Sequence, residues 1–433
     1  MDHERRAGRH PDLDRAAEEA RRGRMSRRGF LRVAALLGAG VGIGAAASRL
    51  QHRGALAVEP AAGAPRTGGT LRCAMSVFDI ADPARFAWVE MSNQARHQHE
   101  HLTVTGPDNI TRPMLAERWA AADDLKTWTF HLRRGVRWHS GDPFTADDVA
   151  FNIARWLDPE LGSSTLALFS GLTGAGAGVE VVDPHTLRLH LSAPLLSVPE
   201  NFYNYPTALV HRGFSGDVTR DRNGTGPYQI VENAPGEISI SRRRTAGDQP
   251  YWGAAVPHVG PGLLDEIRYV HHEAASPEAV EAVISGAVDM CYEVGVESFE
   301  RAAEAPETRL LVADSALTGC LRMRVDAAPF DDVRVRRAIQ LCCDAEAYPD
   351  QVFSGRGRPG EHHHVARIHP DYFPLDPPPR DAAQARRLLA EAGFADGLDL
   401  TLDVGNTSGL WQQRTAELFA RQASEAGVRV RVN

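Results

Sequence analysis

Cysteine is scarce in this sequence, and the few cysteines do not follow a metal or disulfide spacing. The chain has five, an odd number without a C-x-x-C pair: Cys73, Cys291, Cys320, Cys342 and Cys343. The neighbours Cys342 and Cys343 would point in different directions on a helix, so no disulfide framework or zinc ribbon can be inferred. We interpret the cysteines as small buried apolar residues and leave open one adventitious disulfide.

Lysine is also nearly absent, since Lys126 is the single lysine among 48 basic residues, which we attribute to composition and not to function. The first 57 residues hold twelve arginines against six acidic residues, so the rest of the chain has 36 basic and 50 acidic residues. Such an acidic body argues against a nucleic-acid partner. With 433 residues and 43% hydrophobic residues, the chain is long enough to form two or three domains.

The sequence lacks an apolar run that could span a bilayer. The uncharged stretch over residues 33–47 contains four glycines and is shorter than the roughly 20 residues that a spanning helix needs. Before it, Arg27 and Arg28 stand in the sequence Ser-Arg-Arg-Gly-Phe-Leu, which resembles a twin-arginine export signal. We expect residues 1–57 to be a signal region with an A-x-A cleavage site at 55–57; the alternative is a basic stretch before an ordinary anchor.

The usual signatures of hydrolases are missing as well. There is no G-x-S-x-G elbow, no H-E-x-x-H pair and no S-x-x-K motif. The glycine-rich residues 171–178 are not followed by G-K-[ST], so a flexible loop is expected there and not a phosphate-binding loop. Adjacent acids such as Asp147 and Asp148 fit helix caps better than an acid–base pair. These absences argue against a secreted hydrolase, and we expect no enzymatic activity.

Strand and helix patterns alternate along the chain, which predicts a mixed α/β fold. A strand is expected up to Met75, and two hairpins are expected from alternating apolar positions: 128–132 with 136–138, and 179–182 with 186–191. Helices are expected over 91–104, 146–156, 277–286, 333–343 and 381–392. Thr145 and Asp148 have the spacing of a capping box at the start of the second of these helices.

Several stretches together resemble the family 5 extracellular solute-binding proteins, the peptide- and nickel-type receptors of ABC importers. Met114–Trp119, Trp128–His139 and Pro143–Val149 match the family signature nearly position by position. Further matches are Gly69–Leu71, Gly224–Tyr228, Ser285–Asp289, Pro329–Arg336 and Ala385–Gly393.

The resemblance implies a two-lobed, periplasmic-binding-protein type II-like α/β fold with an additional small domain. Mapped onto this chain, lobe I takes residues 66–104 and 195–318, the extra domain takes 105–194, and lobe II takes 319–433. Family members continue beyond this point, so lobe II is expected to be incomplete, with its C-terminal part missing.

The resemblance also implies a function. The chain is expected to be the extracytoplasmic substrate-binding component of an ABC importer, a monomer located in the periplasm or at the cell surface. It would bind a small solute between its lobes, in the first place a di- or oligopeptide, and deliver it to a membrane permease without a cofactor. A sugar, opine or nickel-chelate receptor and a truncated relic that no longer transports remain as alternatives.

The positions that match the family's ligand cleft are Ser76, Phe78, Tyr292, Glu293, Thr318, Asn406, Ser408 and Trp411, to which we add His363. Glu293 is the candidate to receive a cationic group, and Tyr292 and Trp411 are candidates to pack on ligand side chains; an exposed carboxylate and core packing are the alternatives.

The histidine run at 362–364 could ligate a metal, contact the ligand or be structural, and we assign no metal site because consecutive histidines rarely face one ion. His97 and His101, four residues apart on an expected helix, are predicted to face solvent.

Overall fold

The computed structural model describes residues 66–244, 250–313, 315–363, 365–369, 372–375, 378–407 and 409–433. The expected signal region with Arg27 and Arg28 lies outside these residues, as do His364 and Ser408. Within the described part the structure is mixed α/β, as the sequence predicts. No helix there is long and apolar enough to cross a membrane.

Strands in the described residues form four sheets. Their bounds are β1 Thr70–Met75, β2 Thr103–Thr105, β3 Thr111–Pro113, β4 Ala116–Ala121, β5 Thr127–Leu132, β6 Gly178–Asp183, β7 Thr186–His190, β8 Tyr228–Ala234, β9 Ile238–Arg243, β10 Glu266–His271, β11 Met290–Cys291, β12 Leu398–Leu402 and β13 Val428–Val432.

Helices of this part of the chain are mostly short, and several begin at a capping side chain or a proline. Their bounds are α1 Val89–Ala95, α2 Ala146–Trp156, α3 Thr165–Leu168, α4 Val198–Asn201, α5 Val218–Asp221, α6 Pro277–Ile284, α7 Phe299–Glu304, α8 Val333–Cys342, α9 Tyr348–Phe353, α10 Ala382–Glu391 and α11 Trp411–Ser424.

The first lobe is built on a five-stranded sheet with the strand order β11-β1-β10-β9-β8. β1 pairs in parallel with both β10 and β11, whereas β8, β9 and β10 are joined by antiparallel pairing. One face of the sheet packs Cys73, Met75, Ile267 and Tyr269 into a common cluster. The three parallel strands therefore end at the same edge, which is where ligands bind in many open α/β sheets.

A second, antiparallel sheet has the order β4-β5-β7-β6 and carries α2. Phe130, Trp138, Phe144 and Trp156 are fully buried in its core. Phe130, Trp138 and Phe144, which belong to the family-like stretches, are thus core residues. A two-stranded sheet, β2 with β3, lies beside this unit.

The capping box at the start of α2 is confirmed, and it has a second role. The Thr145 backbone N–H donates to Asp148 Oδ2 at 2.9 Å, and the Trp138 indole N–H donates to the same oxygen at 3.2 Å. Asp148 is fully buried. One carboxylate therefore joins the helix start to the aromatic core.

The second lobe contains the parallel pair β12 and β13, connected by α11, with α8 and α10 packed on it. Its core includes Val335, Ile339, Leu389, Phe419 and Val428. Asp332 caps α8, because its carboxylate accepts from the Arg334 backbone N–H at 2.7 Å.

The hairpin expected between residues 128–132 and 136–138 is wrong. Both edges of β5 are occupied by β4 and β7. Residues 136–144 instead close on themselves, since the Phe144 N–H donates to the Val136 carbonyl at 3.0 Å. Three alternating residues are too few to specify a strand when their apolar members are needed in a core. The hairpin of β6 and β7 is confirmed.

The helix expected over 91–104 is also shorter than predicted. It ends at Ala95, and residues 103–105 form β2. His101 consequently lies in a buried segment, 2% exposed and edge-on to the Tyr203 ring at 5.4 Å. The prediction that His97 and His101 face solvent on one helical face is wrong, because no helix carries them.

All five cysteines are free. Cys73 pairs with Met290, and Cys291 pairs with Ala74, in the parallel register of β1 and β11. Alternate residues of a strand point to opposite faces, so the Cys73 and Cys291 side chains are on opposite sides of the sheet. Neighbouring strands therefore do not bring these thiols together for a disulfide.

Candidate functional site

The carboxyl edge of the first sheet brings three loops together, after β1, β10 and β11. The Ser76 hydroxyl donates to the His272 carbonyl at 3.1 Å, and the Val77 N–H donates to His271 Nδ1 at 3.1 Å. The Tyr292 N–H donates to the Ala74 carbonyl at 3.0 Å. These bonds hold the loops as one surface at the ends of the parallel strands.

Ser76 and Phe78 are both on this surface, but their roles differ. Ser76 is 5% exposed, and its hydroxyl already donates a hydrogen bond to the loop after β10. Phe78 is half-buried, and its carbonyl accepts from the Asn233 side chain at 3.1 Å. Phe78 therefore presents an apolar ring from a backbone that is held in place.

Tyr292 and Glu293 follow β11 at the same edge. Tyr292 is 42% exposed. A large aromatic residue whose role is core packing is usually more buried than this. Burial raises the pKa of Glu293 above its ordinary value, and the nearby carboxylate of Glu90 raises it further. A partly buried carboxylate next to a second one is stabilised by any cation placed between them.

The second lobe contributes the loop after β12 and the start of α11. The Asn406 side chain donates to Gln413 Oε1 at 3.2 Å, which ties the loop to the first turn of the helix. Trp411 is half-buried, with its ring 5.8 Å from that of Phe353. Ser408 belongs to the same loop in the sequence but lies outside the described residues.

The segment that crosses between the lobes is in contact with the same tryptophan. A Cβ atom placed on Gly319 would lie 3.2 Å from the Trp411 ring, so glycine is what lets the ring lie against the crossing segment. A Cβ atom on Gly360 would lie 3.9 Å from the Thr318 methyl group. Gly319 and Trp411 are thus close together, with Thr318 next to Gly319 in the chain; that these residues line a ligand cleft stays a prediction.

His363 is placed differently. Its Nε2 is 3.2 Å from Glu361 Oε2, and its Nδ1 accepts from the Val365 N–H at 3.2 Å. Glu361 also accepts from Tyr372 at 2.6 Å and from Arg367 at 3.2 Å. Both ring nitrogens are therefore engaged inside the loop that carries them. Among the described residues no group of three His, Cys, Asp or Glu side chains is arranged to hold a metal ion.

The lobes also meet through residues that sequence reasoning missed. A Cβ atom on Gly409 would lie 3.2 Å from the Ala275 Cβ and 3.9 Å from the Gly295 Cα. The Arg356 guanidinium carbon lies 5.3 Å from the centre of the Phe299 ring. Gly409 and Gly295 each follow a strand, which in the sequence marks them as loop residues. Nothing in the sequence indicates that the two loops meet.

The geometry is that of two lobes with facing loops, and the family-model comparison matches it. Residues 111–433 match the model described as bacterial extracellular solute-binding proteins, family 5 middle. The chain belongs to the family 5 solute-binding proteins. The resemblance of the three signature stretches is thereby confirmed.

Two curated relatives of this family 5 member illustrate how similar in sequence such proteins are and how much of each is matched. The periplasmic oligopeptide-binding protein OppA of Salmonella typhimurium is 27% identical over 379 residues, which is 81% of this chain and 67% of OppA. The di/tripeptide-binding protein 1 of Pseudomonas aeruginosa is 28% identical over 318 residues, 67% of this chain and 56% of that protein. The chain thus spans between about half and two thirds of these relatives' length.

A solved structure gives the same fold. The periplasmic binding protein AgaA of A. tumefaciens R10, determined in complex with agropinic acid, superposes with a TM-score of 0.67 at 24% identity. The match covers 84% of this chain and 72% of AgaA. The two-lobed α/β fold expected from the sequence is confirmed; the residue boundaries of the lobes and of the extra domain stay a prediction.

Proposed function

We propose that this family 5 member binds a di- or oligopeptide between its lobes and delivers it to the permease of an ABC importer. The observation that carries the proposal is the approach of two strand-end loops of the first lobe, after β10 and β11, to the loop after β12 of the second. Peptide-binding relatives support the choice of ligand.

The chemistry of the facing loops also supports a peptide. Tyr292 and Phe78 offer aromatic surface for ligand side chains, and Trp411 does so from the second lobe. Loop backbones at strand ends supply N–H and C=O groups, which are the natural partners of a peptide backbone. Asn406 and Thr318 add polar side chains, whereas Ser408 and His363 stay predicted contacts.

We further propose that Glu293, together with Glu90, receives a cationic group of the ligand. No basic side chain is a hydrogen-bonding partner of Glu293 among the described contacts, and burial disfavours its charged form. A lysine or arginine side chain of a bound peptide would neutralise this carboxylate. Export through the twin-arginine signal to the periplasm or cell surface belongs to the same proposal.

The test begins with native mass spectrometry of the purified full-length chain, to identify any solute that co-purifies. A panel of di- to pentapeptides is then assayed by thermal unfolding. A peptide present at 100 times its Kd should stabilise the protein by about 2.7 kcal/mol. The peptide must be recovered with unchanged mass, since conversion would indicate an enzyme.

Matched variants locate the binding site. Tyr292→Ala should lower peptide affinity, because an exposed ring at the strand-end surface is lost. Leu196→Ala removes a large apolar side chain that is even more exposed, at 69%, and lies away from the strand-end surface; it should leave affinity unchanged. If no peptide shifts the unfolding temperature but a sugar, opine or nickel chelate does, the peptide proposal is wrong.

A further inference from the structure

The two lobes touch through residues with almost no side chain. Gly409 follows β12 in the second lobe, while Ala275 and Gly295 follow β10 and β11 in the first. A Cβ atom on Gly409 would lie 3.2 Å from the Ala275 Cβ. Since carbon atoms pack at about 3.5–4.0 Å, the space between the loops is too small for even one added methyl group at Gly409 unless the loops move apart.

The first-lobe side of this contact has little room to adjust. A Cβ atom on Gly295 would lie 2.4 Å from the Ala275 carbonyl oxygen, so only glycine fits there. Ala275 is 4% exposed and has a φ of 56°, in the left-handed region. Gly409 has a φ of 90°, which also favours glycine. Small residues and constrained backbone thus coincide where the lobes meet.

A second contact between the lobes is weaker and uses side chains. Arg356 follows α9 in the second lobe, and its guanidinium carbon lies 5.3 Å from the centre of the ring of Phe299, which begins α7 in the first. Arg356 is partly exposed. Cation–π contacts near solvent contribute little free energy. This contact can hold the lobes together but cannot limit their approach.

We propose that the contact of Gly409 with Ala275 and Gly295 is a stop that sets how far the lobes close, and thereby the size of ligand that the cleft accepts. The role in ligand size rests on the proposed function. The stop itself is a property of the chain without ligand. Backbone atoms cannot move aside as a long side chain does, so the closed width is fixed by these three residues.

The test measures the distance between the lobes with spin labels and no ligand. Glu278→Cys on α6 and Glu417→Cys on α11 carry the labels, in a Cys320→Ser background that removes the exposed native thiol. Gly409→Leu should shift the distance outward by about 3 Å, the room that the added carbons need. Gly393→Leu is the matched control, because Gly393 has a φ of 97° and no atom within 4 Å of its Cβ position.

Two further measurements keep the test decisive. Arg356→Ala, which removes the second contact without backbone strain, should broaden the distances toward wider separations. The Cys320→Ser chain without introduced cysteines reports any labelling of the remaining thiols. An unchanged distance in Gly409→Leu, or an equal shift in Gly393→Leu, would overturn the stop.

Peptide binding to the same variants separates the two proposals. Gly409→Leu should weaken dipeptide binding at least tenfold and pentapeptide binding less. If the distance shifts but no peptide binds even the unsubstituted chain, the stop is supported and the peptide-binding function fails. If peptides bind but the distance does not move, the function is supported and the stop fails.

Discussion

Glu293 combines an unfavourable position at the strand-end surface with a proposed role in binding. Burial and Glu90 raise its pKa, so its charged form is less stable in the folded protein than in water. A group whose folded pKa is raised in this way makes the protein less stable at pH values above that pKa. The residue is therefore expected to cost stability while it provides affinity.

Glu293→Gln should separate these two effects. The variant should unfold at a higher temperature than the unsubstituted chain at pH 7, because a partly buried charge is gone. It should bind lysine- or arginine-containing tripeptides at least tenfold more weakly, as measured by calorimetry, and neutral tripeptides about equally. Glu278→Gln, at an exposed helical position, is the control and should change neither. Unchanged affinity for the cationic peptides would contradict the role of Glu293.

Asp148 is a residue whose importance is structural. Asp148→Ala should lower the free energy of unfolding by about 2–4 kcal/mol, about 1 from the lost cap and about 1–3 from the unpaired indole N–H of Trp138. Urea unfolding measures the difference. Asp147→Ala, in the same first turn but exposed, should stay within about 0.5 kcal/mol of the unsubstituted chain. Equal effects of the two substitutions would mean that neither the cap nor the bond to the Trp138 indole contributes to stability.

The segment between α1 and β2 buries several neutral imidazoles. Burial lowers the pKa of His97 and of His99 to about 4 and that of His101 to about 3. His99 is fixed as a neutral ring between the Leu209 carbonyl at 3.0 Å and the Gln98 side chain at 2.7 Å. The unfolded chain takes up these protons at a pH near 6.5, so stability is full above that pH and is lost as the pH falls toward 4.

His101→Phe should reduce this acid sensitivity. Each such histidine contributes up to about 1.4 kcal/mol per pH unit to the slope of unfolding free energy against pH. Urea unfolding measures this slope between pH 6 and pH 4. In His101→Phe the number of protons taken up on unfolding should be smaller by one, and the slope should fall accordingly. Tyr203→Phe keeps His101 and the ring on which it packs, so it should retain the full slope. Identical slopes in His101→Phe and the unsubstituted chain would show that His101 is protonated in the folded state.

Elements whose signals are local were predictable from the sequence. α2 has its predicted bounds because Thr145 and Asp148 cap it and its apolar spacing is long enough to specify a helix. The expected strand at 136–138 does not form, because β4 pairs with the edge of β5 that this strand would need. The helix expected over 91–104 failed for a related reason: residues 96–102 pack on the first lobe and on Tyr203 instead of continuing the helical turn.

At the scale of the whole molecule, the two-lobed fold was predictable from family-like stretches, but the site was predictable only in part. The stretch with Thr318 and Gly319 lies against Trp411 because Gly319 has no side chain to keep the indole ring away. The meeting of Gly409 with Ala275 depends on how one lobe is placed on the other, and no local pattern records that placement. Glu90 was missed because its only signal is a spatial neighbour more than 200 positions away in the sequence.

The proposed export of the whole molecule through a twin-arginine signal can be tested without knowledge of the ligand. Arg27→Lys combined with Arg28→Lys should abolish export, because twin-arginine recognition needs the guanidinium groups. The matched control is Arg21→Lys with Arg22→Lys, an arginine pair outside the signal motif. Immunoblots of periplasmic and cytoplasmic fractions measure the outcome. Export of the first variant at the level of the control would favour another route.

The uneven environment of the five thiols makes this protein suitable as an optical sensor. Burial raises the pKa of Cys73 to about 12 and that of Cys342 to about 11, and it also raises those of Cys291 and Cys343, which suppresses their reactive thiolates. Cys320 is exposed and next to Gly319, against which Trp411 packs. A maleimide dye should therefore attach selectively where the chain passes between its halves, and its emission should change as a solute enters.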